Sequence, residues 1–166
     1  MSATIISTST NRLINGNFST NTLDPWTVSA ERHHTIRKND DDEGRFIRLL
    51  PGTTLAQSIK GITRPVRASF KVRAPKVAAD EFAFGVVSLF MGGDAVGTPD
   101  MREVRATSDW EQKEYVFELP AFTVTACSFA VSCIGPVKPT DRQESPEQEL
   151  VISSMDYSDF KLEYVN

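Results

Sequence analysis

Leu13-Ile14-Asn15-Gly16-Asn17-Phe18, with Pro25-Trp26 shortly after it, is the stretch that decides how this chain folds. An apolar pair halts at Asn15-Gly16, residues that tolerate the positive φ of a tight turn, and the chain resumes with an aromatic. Pro25 then delivers Trp26, a side chain large enough to close a core. The stretch predicts the opening of a β-protein: edge strand, turn, buried aromatic. In Val66-Arg67-Ala68-Ser69-Phe70-Lys71-Val72-Arg73-Ala74 the apolar residues point one way and Arg67, Ser69, Lys71 and Arg73 the other, so one face is core and the other is wet.

The same period of two recurs along the chain, and helical spacing never persists beyond a turn or two. Tyr115, Phe117 and Leu119 alternate with Glu114, Val116 and Glu118; Cys127, Phe129, Val131 and Cys133 alternate with Ser128, Ala130 and Ser132. Further strands are expected at Trp26–Ser29, Arg45–Leu50, Thr54–Ile59, Met101–Ala106, Leu150–Ser153 and Asp159–Tyr164. Phe82–Phe90 is apolar on both faces, which suits a central strand covered on both sides, the first expectation, or a strand lining an apolar groove. Asn39–Gly44, Met91–Pro99 and Pro136–Glu147 read as loops. The pattern predicts one all-β domain over residues 11–166, a two-sheet antiparallel β-sandwich of jelly-roll type, behind a loose Ser/Thr-rich tail at residues 1–10.

Composition narrows the function. A chain of 166 residues buries enough surface to need neither disulfides nor a structural metal. Lysine and arginine number 18 against 22 aspartates and glutamates, a net charge of -4, and no basic cluster is dense enough to follow a phosphate backbone, so nucleic acid is not an expected partner. No apolar run is long enough for a membrane span, and Met1–Ile6 lacks the basic start and long apolar stretch of an export signal, so a soluble chain is expected. Cys127 and Cys133 lie six residues apart on one strand, about 20 Å, well beyond disulfide reach. They read as small buried hydrophobes, and free thiols fit synthesis or residence in a reducing, cytoplasmic compartment.

Later segments repeat the message of the opening in a particular order: Gly44-Arg45-Phe46-Ile47-Arg48-Leu49, Leu55-Ala56-Gln57-Ser58-Ile59, Ala68–Arg73, Thr107-Ser108-Asp109-Trp110 with Tyr115-Val116-Phe117, and Tyr157-Ser158-Asp159-Phe160-Lys161-Leu162. From about residue 11 to the end, this order resembles the jelly-roll carbohydrate-binding modules that accompany xylanases and glucanases, within the galactose-binding-like superfamily. The resemblance implies a non-catalytic domain with an extracellular role that holds a saccharide on one sheet face. It also implies a structural calcium, with Asn17, Gly44 and Asp159 as candidate ligands. Yet Ser19 stands where such modules carry a ligating glutamate and Ser158 where they carry the first of two aspartates. Calcium prefers six to eight oxygens with carboxylates among them. The acidic turn Asn39, Asp41, Glu43 echoes the start of a calcium loop, but its twelfth position is Leu50, and a solvated loop is the simpler reading.

The residues themselves offer little for catalysis. His33 and His34 are adjacent and diverge if extended, a pair at a loop rim; no nucleophile elbow, phosphate loop or zinc motif occurs. A saccharide site needs less: a rigid groove, polar groups for hydroxyls and an aromatic face. If the two alternating strands share a sheet, Ser128 and Ser132 form a shallow floor beside Arg67, Lys71 and Arg73, with Phe84 as a stacking surface; Phe46, Phe82 and Phe122 are further stacking candidates, while Trp26 and Trp110 match positions that pack in the core or under a loop. The competing expectation is a β-sandwich structural or interaction domain of a larger secreted, toxin or surface assembly. Such a domain has lost the sugar site and meets a protein partner or a second copy of itself.

Overall fold

The computed structural model describes residues 11–29, 34–38, 44–136 and 154–166. The tail at residues 1–10, His33, the acidic residues 39–43, most of the loop expected at 136–147 and the strand expected at Leu150–Ser153 lie outside them. One five-stranded sheet runs in the order β1 (Thr27–Val28), β4 (Thr53–Lys60), β9 (Ala126–Pro136), β6 (Ala83–Gly93) and β7 (Val96–Ala106). The second runs β2 (His34–Lys38), β3 (Arg45–Leu49), β10 (Met155–Tyr164), β5 (Val66–Arg73) and β8 (Glu111–Phe117). Every pairing is antiparallel, as the alternation requires. Among the described residues no helix is long and apolar enough to cross a membrane.

The inward parity of each strand makes the core. Leu55, Phe129, Val131, Val87, Leu89 and Val104 of the first sheet meet Ile47, Leu49, Tyr157, Phe70, Val72 and Phe117 of the second, all fully buried. Each such side chain is worth about 1.5–3 kcal/mol relative to exposure. Cross-sheet polar ties are few and specific. The Tyr157 hydroxyl donates to the Ser132 carbonyl at 2.8 Å, and a Cβ on Gly85 would collide with both partners. The Tyr115 hydroxyl donates to the Glu103 carbonyl at 3.1 Å and joins the edges β7 and β8.

The opening stretch plugs one end of the sandwich. Phe18 and Trp26 are buried against Phe160, with Trp26 and Phe160 ring centroids 5.0 Å apart, and the indole Nε1 donates to the Asn15 carbonyl at 3.0 Å. Instead of a strand partner, Ile14 has the Gln57 amide, which accepts from its N–H at 2.8 Å and donates to its carbonyl at 2.9 Å. Gly16 passes so close to the Phe160 carbonyl that any side chain would strike it. Here β10 bulges: its register against β5 shifts between Ser158 and Lys161, and Asp159 takes φ 53°.

Three expectations change. Met91–Pro99 is not an open loop: β6 and β7 continue into it and close in a tight turn at Asp94-Ala95, with Ala95 at φ 59°. The glycines that read as loop signals serve a close approach instead, because a Cβ on Gly97 would run into the Phe90 ring. His34 is no loop rim but the start of β2, paired with Leu49. Finally, Phe82–Phe90 is not covered on both sides. Ala83, Val87 and Leu89 enter the core, whereas Phe90 on the opposite face stays 45% exposed.

A candidate ligand-binding face

The outer face of the first sheet is built in rows by strand register. Thr54, Ser132, Val86 and Glu103 lie across it; next come Ala56, Ala130, Ser88 and Met101, with Thr27 beyond Ala56; then Ser58, Ser128, Phe90 and Pro99. Serine, alanine and threonine fill the outward positions of β4 and β9, and parity sends Leu55, Phe129 and Val131 to the core side. The result is a low floor on β4 and β9 with taller side chains along β6 and β7. Phe90 rises at one end, its ring over Gly97. About 20 Å along β6 stands Phe84, in edge contact with Phe82 at 4.8 Å between centroids. The Arg105 guanidinium sits over both rings, 4.9 Å from Phe82 and 5.4 Å from Phe84, while its Nε holds Glu103 at 3.0 Å.

Of the six residues expected to form the saccharide groove, Ser128, Ser132 and Phe84 share this face. Arg67, Lys71 and Arg73 do not: β5 belongs to the second sheet, so their side chains point out of the opposite side of the sandwich. The expected groove across both strands is therefore not formed, since β9 takes β4 and β6 as neighbours rather than β5. Phe90, which sequence reasoning passed over, stands where the groove needs an aromatic. Its parity with Phe84 within one apolar strand was the available signal.

On the second sheet, the cations build a self-contained cluster. Asp156, fully buried on the outer side of β10, accepts from Arg48 Nε at 2.8 Å and Nη2 at 3.0 Å and from Arg73 Nε at 2.9 Å. The carboxylate raises the Arg48 pKa through these bonds, against the opposing effect of burial. Arg73 lies 4.5 Å over the Trp110 ring and 5.0 Å over Phe46. Phe46 is thus buried under guanidinium groups and is no stacking surface, and Trp110 sits on this outer face rather than in the core. Phe122 packs against the core from its rim.

Two of the three expected calcium ligands share a pocket. Asn17 and Asp159 line one pocket, but Gly44 is not among its walls. Asp159 is held by the Lys71 ammonium at 3.3 Å, the Asn17 side-chain oxygen accepts the Ser19 N–H at 3.1 Å, and the Ser158 hydroxyl donates to the Arg45 carbonyl at 2.7 Å. The Asp159 carboxylate and the Asn17 side-chain oxygen are thus engaged by donors of the chain, while the Ser158 hydroxyl is itself a donor. No cluster of three His, Cys, Asp or Glu occurs among the described residues. Both cysteines are buried thiols outside any disulfide, and burial pushes the Cys127 thiol up to about 11 and Cys133 to about 12, so neither is a ready nucleophile.

Solved structures share this two-sheet arrangement. A family 61 carbohydrate-binding module, TmCBM61, solved in complex with β-1,4-galactotriose, superposes with a TM-score of 0.66 over 95% of this chain and 100% of its own, at 17% identity. This is the fold of carbohydrate-binding modules. The CBM22-1 xylan-binding domain of Paenibacillus barcinonensis Xyn10C matches with a TM-score of 0.56 at 10% identity, covering 85% of this chain and 86% of that domain. The enzymatically active domain of bacteriophage CBA120 tailspike protein 4 contains a similar unit, TM-score 0.60 at 12% identity, over 93% of this chain but 21% of the tailspike chain. Neither a protein-family model nor a curated protein sequence matches.

Proposed function

We propose that this chain is a non-catalytic carbohydrate-binding domain and that its ligand lies on the outer face of the first sheet, between Phe90 and Phe84. The observation that carries the reading is Phe90, a large ring 45% exposed beside a floor of Ser58, Ser128, Ala130 and Ser88. A sugar ring presents C–H groups to an aromatic face and hydroxyls to its edges, and this face supplies both kinds of partner. Among the described residues nothing on it resembles the two carboxylates of glycoside hydrolysis: its one acid in the central rows, Glu103, is engaged by Arg105. The shared fold with modules solved in complex with saccharides supports the same class.

The test is titration of the 15N-labelled protein with β-1,4-galactotriose and with xylohexaose to millimolar concentration. The amides of Ser128, Ala130 and Phe90 are expected to shift. If a broad panel of β-linked oligosaccharides moves none of them, the reading fails. One observation favours a second reading, docking of a protein partner or a second copy: Met101, 61% exposed, adjoins Phe90 on β7, the edge strand of this sheet among the described residues. A dimer by light scattering that dissociates in Met101→Lys would favour it.

A further inference from the structure

The pocket between the opening stretch and the β10 bulge shares no residue with the Phe90 face. It holds about 660 Å³, within the range of small-molecule sites. Its frame is preformed. The Asn11 side-chain oxygen accepts the N–H groups of Leu13 and Leu162, both at 3.0 Å, and the Asn11 amide donates to the Phe160 carbonyl at 3.0 Å. The Phe160 N–H donates to the Gly16 carbonyl at 3.0 Å, so the two walls are clamped to each other and binding need not order a loop.

Asn15 and Asp159, on opposite walls, hold the left-handed backbone region at φ 55° and 53°, which these residue types adopt readily. One observation indicates that this frame is more than a chain crossing. Asn15 keeps its side-chain oxygen buried without a hydrogen-bond partner, its amide being spent on the Thr22 and Asp24 carbonyls. An orphaned acceptor of this kind destabilises the fold unless a donor reaches it.

The lining selects the ligand. Asp24, Asp159 and Lys161 contribute charge, and Lys71 already balances Asp159, so the walls are close to neutral and favour neither a cation nor an anion. Ser19, Thr20 and Asn17 offer both donors and acceptors, while Pro25 and the 66% exposed Ile14 provide an apolar lip. We propose that this pocket is a second, separate saccharide site that takes the terminal sugar of a neutral oligosaccharide. The ligand class rests on the reading of the Phe90 face; the geometry is independent of it.

The experiment follows two groups of amides in the full chain titrated with β-1,4-galactotriose and xylohexaose: Gly16, Ser19 and Lys161 around the pocket, and Ser128, Ala130 and Phe90 on the face. In Ile14→Arg, whose side chain fills the lip without entering the core, the pocket group is expected to lose affinity at least tenfold while the face group is unchanged. In Phe90→Ala the reverse is expected. Ser19→Trp, a second blocking change at an exposed position, repeats the first result if the fold is intact by circular dichroism. Pocket amides that stay still with both sugars, or that shift with undiminished affinity in both blocked variants, overturn the proposal. A still pocket beside a responding face refutes the pocket alone, and a responding pocket beside a still face refutes the face alone.

Discussion

Replacing Phe90 with alanine separates binding from folding, and its size follows from the exposure of the ring. Phe90 leaves 45% of its surface to solvent, which for a side chain of its size is about 90 Å². A saccharide that covers half to all of it removes about 45–90 Å² of apolar area, worth about 1–2 kcal/mol. Ring stacking adds about 0.5–1.5 kcal/mol if it resembles other aromatic pairs. Phe90→Ala is therefore expected to weaken binding by about 1.5–3.5 kcal/mol, from roughly tenfold to a few hundredfold in Kd. The fold loses only the buried part of the ring, over Gly97, about 110 Å² or roughly 2–3 kcal/mol. Isothermal titration with β-1,4-galactotriose or xylohexaose measures the first quantity and chemical denaturation the second, with Phe90→Trp expected to retain binding. A Phe90→Ala protein that is folded and binds within twofold of the parent refutes the reasoning, because no other aromatic occupies the three central rows of the face.

Three further outcomes follow. Asp156→Ala strands two guanidinium groups; because the Arg48 and Arg73 side chains are 19% and 23% exposed and reach water, the loss falls at the low end for a broken buried pair, about 3 kcal/mol, or roughly 6–12 °C in a thermal melt. A drop under 2 °C shows the clamp to be unimportant. Cys133 has its thiol raised from 9.0 to about 12 by burial, so the folded state holds a proton that the unfolded state releases: stability is full below pH 9 and declines as pH rises toward 12. The decline is of order 2 kcal/mol by pH 10.5, and urea titrations at pH 8 and 10.5 should show a shallower loss in Cys133→Ala. Because Lys71 holds Asp159 and Gly44 lies outside the pocket, melting temperatures in EDTA and in millimolar calcium chloride should agree within about 1 °C; stabilisation of several degrees by calcium would reverse that assignment.

The strands were legible because their cause is local. Alternation in Val66–Ala74 and Cys127–Cys133 states which side chains face the core whatever the partner strand is, and both segments fold with that parity. The opening was legible for a similar reason: Gly16 and Trp26 are types chosen for close approach and for burial, and they do both. The β6–β7 hairpin was obscured because Gly92, Gly93 and Gly97 look like turn residues, although two of them make room near an aromatic ring.

The candidate site was legible only in halves. Ser128 and Ser132 were expected on a wet face and lie on one, and Phe84, read as a stacking candidate on an apolar strand, lies on the same face; Arg67, Lys71 and Arg73 were joined to them across a pairing that does not exist. Period-two pattern by itself determined that this chain is all-β with one wet side to most of its strands, since a side chain's face depends on its immediate neighbours in sequence. Which strands lie side by side, and whether the second apolar face of β6 is covered, depend on contacts between residues far apart in the chain. The tertiary structure alone decided those, and with them the exposure of Phe90 and the clamp of Asp156 between two arginines.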